Sequence, residues 1–201
     1  MDAKIGVLAL QGNVSEHIDA FLSALESMGH GPSSEVFEVR SPADLSDCNA
    51  LALPGGESTT ISRLIDKNDL YEPLREFPGG IFATCAGMVL MATRADDQRI
   101  HQLGLIDVIV DRNAFGRQRE SFEADLVVDG LDNGPFHSVF IRAPVVTTAG
   151  SSVHVLAKMQ QGIVAVEQGK HMALSFHPEL GSDTRLHERF LDRLGITTIR
   201  Q

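Results

Sequence analysis

Two short segments of this chain carry residue types that together can activate a thiol. The first is Thr84-Cys85-Ala86-Gly87, where the apolar run 80–84 stops at a cysteine and small residues follow. A strand that ends at a nucleophile and runs straight into a helix presents that side chain at the carboxyl edge of a sheet. Bulky neighbours there would block a substrate and strain the turn. A thiol at a helix start also gains from the helix dipole, which favours the thiolate. The second segment is 175–179, Ser-Phe-His-Pro-Glu, in which His177 follows the apolar run MALSF and so also lies at a strand end. Pro178 fixes the backbone between His177 and Glu179, so that the carboxylate can turn onto the imidazole. A cysteine, a histidine and a carboxylate that holds it make the arrangement for thiol acyl transfer. Taken singly, each has a plainer reading, because free cysteine is among the most buried residue types and a lone histidine is more often structural. Their occurrence together favours the chemistry.

A third segment, 53–60, reads Leu-Pro-Gly-Gly-Glu-Ser-Thr-Thr. Glycines at a strand-to-helix junction let backbone N–H groups approach a ligand or an oxyanion. The plainer reading is a βα loop with Ser58 capping the following helix. It is not a phosphate-binding P-loop, since the Gly-Lys-Ser/Thr ending is absent. Backbone N–H groups near Gly56 and Ala86 are candidates to hold a developing oxyanion.

These segments need a sheet to position them, and the chain supplies one. Runs 4–10, 35–39, 50–53 and 80–84 are apolar and short, as strands buried on both faces are. Between them the spacing predicts a helix through Ile18, Phe21, Leu22 and Leu25 to Gly29, with Asn13 or Ser15 as its cap, and helices over 58–66 and 69–76. After Cys85 an apolar helix reads MVLMAT. Alternating strands and helices imply βαβ units and a mostly parallel sheet. Beyond residue 105 the runs 105–111, 123–129, 137–142, 153–157, 163–168 and 171–176 are strand-like with short turns, and a helix closes the chain over about 183–194. One α/β domain over residues 1–201, with an antiparallel extension, is the expected organisation.

Composition narrows the class. Of 201 residues, 43% are hydrophobic and 22% charged, which places the chain among soluble globular proteins. No apolar run reaches the roughly 18 residues that a membrane span needs, and the N-terminal run lacks a signal-peptide cleavage pattern, so a cytoplasmic location is expected. The formal net charge of −10 argues against a nucleic-acid partner. Two cysteines are too few for a disulfide framework. Cys48, in the polar stretch SDCNA, has no context like that of Cys85. The histidines outside the SFHPE segment show no metal-ligand spacing, and no metal site is expected.

Cys85 in a TCAG elbow, with FHPE about ninety residues later, resembles the class I glutamine amidotransferases. More narrowly, LALQGN, LPGGESTT, ATCAG, RNAFGRQRESFEADL, FIRAP and SFHPEL are similar to the SNO (PdxT) family, the glutaminase subunits of pyridoxal 5′-phosphate synthase, in the family's order from Leu8 to Leu180. The resemblance implies a three-layer flavodoxin-like fold, with a mostly parallel sheet flanked by helices. It implies that Cys85 is the nucleophile, with His177 and Glu179 completing a triad that hydrolyses L-glutamine. Gly56, Glu57 and Ser58 of the GGES loop, Arg112 at the head of the RNAFGRQ block, and Ile141 and Arg142 of the FIRAP segment fall on glutamine-binding positions. Gln11 falls on the glutamine of the LQG motif near the partner-facing side. The resemblance further implies a PdxS-type synthase partner in a hetero-oligomeric complex. Pyridoxal phosphate would be that complex's product, so no cofactor is expected here. The residues themselves leave three alternatives open: the glutaminase subunit of another biosynthetic amidotransferase, a free-standing cysteine hydrolase, and a non-catalytic binding subunit.

Overall fold

The computed structural model describes residues 3–31, 33–115 and 121–199. In chain order the elements are β1 (Lys4–Leu8), α1 (Val14–Ser27), β2 (Glu35–Val39), α2 (Pro42–Ser46), β3 (Ala50–Leu53), α3 (Ser58–Lys67), α4 (Tyr71–Arg75), β4 (Gly80–Thr84), α5 (Ala86–Met91) and β5 (Ala92–Ala95). There follow β6 (Ile106–Asp111), β7 (Ser121–Leu126), β8 (Phe136–Ile141), β9 (Val145–Ala149), β10 (His154–Met159), β11 (Gly162–Gln168), β12 (His171–Leu174) and α6 (Arg185–Arg193).

The main sheet runs β2-β1-β3-β4-β12-β11-β9-β6-β5, with β10 paired to β11. Its first five strands are parallel, in the doubly wound order that places ligands at the carboxyl ends. Beyond β12 the pairs β12–β11, β11–β9 and β9–β6 are antiparallel, which is the expected extension. The last strand in sequence, β12, thus inserts beside β4 in parallel register, with Leu174 opposite Thr84. The ends of these two strands carry His177 and Cys85, so topology alone makes them neighbours.

The central strands are buried and mostly apolar because both faces are covered. In β3, Ala50 and Ala52 pack on the side of α1 and α6, while Leu51 and Leu53 pack on the side of α3 and α5. Beneath β4 the rings of Phe21, Phe82 and Phe190 meet with centroids 5.3 to 6.2 Å apart, tying α1 and α6 to the sheet. All three are essentially fully buried, and truncating any one to alanine removes roughly 3–5 kcal/mol. The separate β7–β8 hairpin stacks Phe122 on Phe140 at 4.6 Å, and Phe140 meets Phe176 at 5.4 Å. Through His177 N–H donating to Val139 O at 2.9 Å, this hairpin also fixes the segment that bears the histidine. Among the described residues no helix is long and apolar enough to cross a membrane.

Local details differ from the sequence pattern in three places. The helix after Cys85 ends at Met91, and Ala92–Ala95 becomes β5, because a parallel partner in β6 captures a segment whose propensity is helical. The cap of α3 is Glu57 and not Ser58: its carboxylate accepts from Thr59 and Thr60 N–H, while Ser58 is the first helical residue. Finally, α2 and β9 are further elements that the pattern reading leaves unassigned.

Candidate active site

Cys85 stands between β4 and α5 with φ 49° and ψ −106°. A non-glycine residue in this region stores roughly 1–3 kcal/mol of strain and persists only where its surroundings dictate it. Here its N–H donates to Leu174 O at 2.8 Å, across to β12. The helix that follows packs directly on β3, since a Cβ on Gly87 would lie 2.2 Å from Leu53 O. The small residues after the nucleophile therefore serve helix-to-strand packing as well as access. With only six residues, α5 has a short dipole, so a thiolate at this position would depend mainly on the histidine. Cys85 Sγ lies 3.8 Å from Ile141 O. Burial pushes the Cys48 thiol up to about 12, which leaves it unreactive by comparison.

The Pro178–Leu180 turn, a single turn of 3-10 helix, brings Glu179 back over His177, with Oε1 2.7 Å from Nδ1. That leaves Nε2 for the sulfur. Burial disfavours the imidazolium, yet the hydrogen bond to Cys85 and the hydrogen bond and charge of Glu179 outweigh it and raise His177 to about 10. Burial likewise pushes the Glu179 carboxyl up, and its neighbours His17 and His177 reverse this and hold it at about 2. Asn13 Nδ2 donates to the same Oε1 at 3.2 Å. Asn13 does occupy the N-cap position of α1, but its side chain serves the carboxylate and makes no cap hydrogen bond.

The glycine loop after β3 closes the other side. Gly55 N–H donates to Thr84 Oγ1 at 3.1 Å, and Glu57 N–H donates to Gln11 Oε1 at 2.9 Å. A Cβ on Gly55 would fall 2.4 Å from His177 Cε1 and 3.1 Å from Cys85 Cβ, so only glycine fits against the pair. Burial is the largest single influence on the Glu57 carboxyl and pushes it up, but the hydrogen bonds from Thr59 and Thr60 together outweigh it and lower it to about 2. Arg112 bridges Glu57, at 3.4 Å, and Asp97. Asp97 is held well below the usual carboxylate range by hydrogen bonds from Arg99 and by the charges of Arg99 and Arg112. Arg142 has φ 43°, a second strained backbone at the rim.

Around Cys85 and His177 lies a cavity of about 890 Å³, which Gln11, Gly56, Glu57, Ser58, Ala86, Arg112, Ile141 and Arg142 also line. The structure thus brings together every candidate residue from the sequence, with Glu179 buried behind the histidine. Residues 116–120 of the RNAFGRQRESFEADL block lie outside the described residues. Asn13, His17, Thr84 and Asp97 are contributors that the sequence reading misses. For Asn13 the signal was present in the LALQGN block, whereas Thr84 was visible only as the residue before the nucleophile.

A thiol at a strained elbow, an imidazole–carboxylate pair on the adjacent strand and a glycine loop facing both form the arrangement that thiol acyl-transfer chemistry uses. A crystal structure of a glutamine amidotransferase matches 95% of this chain and 98% of its own, with 45% identity and a TM-score of 0.83. A glutamine amidotransferase from Thermotoga maritima shares the fold at 14% identity, with a TM-score of 0.61 over 97% of this chain and 85% of its own. The chain belongs to the SNO glutamine amidotransferase family, whose model matches residues 7–195. A pyridoxal 5′-phosphate synthase subunit PdxT from Methanoregula boonei is 69% identical over 96% of this chain and all of its own length.

Proposed function

We propose that this protein hydrolyses L-glutamine to L-glutamate and ammonia and passes the ammonia to a PdxS-type synthase subunit that makes pyridoxal 5′-phosphate in the cytoplasm. The observation that carries this reading is the strained Cys85 facing an imidazole whose other nitrogen lies 2.7 Å from a buried carboxylate. Family membership and the name of the Methanoregula relative support the pathway.

His177 takes the proton of Cys85, and the thiolate attacks the side-chain amide carbon of glutamine. The N–H groups of Gly56 and Ala86 receive the developing oxyanion. On collapse the C–N bond breaks, and His177 returns its proton to the departing ammonia. Water, activated by the same imidazole, then cleaves the glutamyl thioester to glutamate and free thiol. Glu179 stays ionised throughout and holds Nδ1 protonated. Arg112 and Arg142 suit the α-carboxylate of the substrate, and Glu57 suits its α-ammonium. Ammonia released into water would be protonated and lost, which is why a synthase must dock at the cavity mouth, where Gln11 lies.

The test is glutamate release from glutamine by wild type and Cys85→Ala, with and without a PdxS-type subunit. Release that depends on the partner and vanishes in the variant supports the assignment. Release that ignores the partner would favour a free-standing hydrolase, and no release from a folded protein would leave only a binding role.

A further inference from the structure

Behind the reacting groups lies a buried polar node that the mechanism above does not use. Thr84 ends β4 on the same face as Phe82, toward α1, and its side chain is completely buried. Its Oγ1 accepts from Gly55 N–H at 3.1 Å and lies 3.0 Å from His17 Nε2. His17 is also fully buried and places the same nitrogen 3.5 Å from Glu179 Oε1. It follows Asn13 by one helical turn, so the start of α1 lays two side chains along one carboxylate. The tautomer follows from electrostatics. A lone pair on Nε2 would face the carboxylate and leave Nδ1–H buried without an acceptor, so Nε2 carries the proton and is shared between Thr84 and Glu179.

We propose that Thr84 and His17 are positioning residues that set both halves of the site, Thr84 anchoring the glycine loop through Gly55 N–H and His17 fixing the carboxylate that orients His177. The space at Gly55 is too small for even a methyl group, since a Cβ there would lie 2.4 Å from His177 Cε1 and 3.1 Å from Cys85 Cβ. Its amides are anchored on both flanks of Gly56, by Thr84 at Gly55 and by Gln11 at Glu57. A hydroxyl lost from Thr84 releases one anchor and removes a partner of His17, so the oxyanion donor and the general base drift together. Misplacement on the scale of an ångström costs roughly a hundredfold in rate. The inference rests on the glutaminase reading for its kinetic consequence, but its geometry does not.

The test compares Thr84→Val, which keeps the shape, with Thr84→Ser, which keeps the hydroxyl, in the presence of the synthase partner. Thr84→Val should lower kcat for glutamate release roughly 10- to 100-fold with KM for glutamine within roughly threefold, and Thr84→Ser should recover most of the loss. Combining Thr84→Val with His17→Leu should cost little more than the worse single change, because both break one relay. Equal impairment of the valine and serine variants, additive losses, or a valine variant within threefold of wild type would each overturn the proposal. Should Thr84→Val not fold, His17→Gln against His17→Leu carries the same comparison. Alkylation of Cys85 by iodoacetamide at neutral pH, followed by peptide mapping, reads the same geometry without glutamine. It should slow at least roughly tenfold in Thr84→Val and His17→Leu. A wild type that fails on glutamine would therefore sink the glutaminase reading alone, whereas unchanged alkylation in both variants would sink the relay.

Discussion

Replacing Glu179 with glutamine keeps the volume of the side chain and removes the charge that His177 depends on. The carboxylate oxygen is 2.7 Å from Nδ1, in a buried setting where its field is weakly screened. Against the cost of burial, Cys85 and Glu179 together raise His177 from 6.5 to about 10. Without the Glu179 charge the ring is a weaker base, and general-base catalysis of this kind is worth roughly 10²- to 10⁴-fold in rate. A neutral amide also lets the imidazole adopt the wrong tautomer, and the corresponding change in a serine triad costs roughly 10⁴ in kcat. The expected fall in kcat for glutamate release is therefore roughly 10²- to 10⁴-fold, with KM changed by less than roughly threefold, because Glu179 does not line the cavity. Titration of the His177 ring by NMR should show its midpoint moving down toward the ordinary value. A Glu179→Gln protein with kcat within threefold of wild type, or with an unmoved His177 midpoint, would show that the Glu179 charge does not set the basicity of His177.

Other residues give independent checks. Gly55→Ala places a methyl 2.4 Å from His177 Cε1, so kcat should fall by at least roughly a hundredfold while far-UV circular dichroism stays native; retained activity would show that the loop has room. Arg112→Gln leaves Glu57 and Asp97 without their shared cation and should raise KM for glutamine roughly 10- to 100-fold with a smaller change in kcat. An unchanged KM would remove Arg112 from substrate binding. His187 is buried, with neither ring nitrogen hydrogen-bonded among the described residues, and burial lowers it to about 3. Between pH 6.5 and about 3 the unfolded chain binds a proton there that the folded one does not, so the unfolding free energy falls by about 1.4 kcal/mol per pH unit as pH drops. Urea titrations at pH 7 and pH 5 should show His187→Leu losing roughly 2 kcal/mol less than wild type over that interval, and identical losses would contradict the assignment.

The sequence exposed what depends on strands and their ends. Segments such as ALAL in β3 and GIFA in β4 are apolar because helices cover both faces, and Cys85 and His177 stand just beyond the ends of such strands. What stayed hidden depends on contacts between distant segments. Thr84 and His17 are 67 residues apart, and Asn13 and Glu179 are 166 apart, so nothing in their spacing announces a shared carboxylate. His17 lies within a helical pattern where a buried polar ring looks like any amphipathic position. Ala92–Ala95 continues a helix-forming run and becomes a strand only because β6 offers it a partner. By contrast α2 was legible and overlooked: Ser41 and Asp44 form a reciprocal cap ahead of a proline start. Glu57, which the family resemblance places among the glutamine-binding positions, is also the cap of α3.

The central claim is that the sulfur of Cys85 becomes covalently bonded to the glutamyl group. Acid-quenching the protein with its synthase partner during turnover of radiolabelled glutamine, followed by peptide mapping, tests this directly. Label is expected on the peptide containing Cys85, labile to hydroxylamine as a thioester is, and absent in Cys85→Ala. Turnover that proceeds with no protein-bound label at any quench time, or with label on another residue, would contradict it.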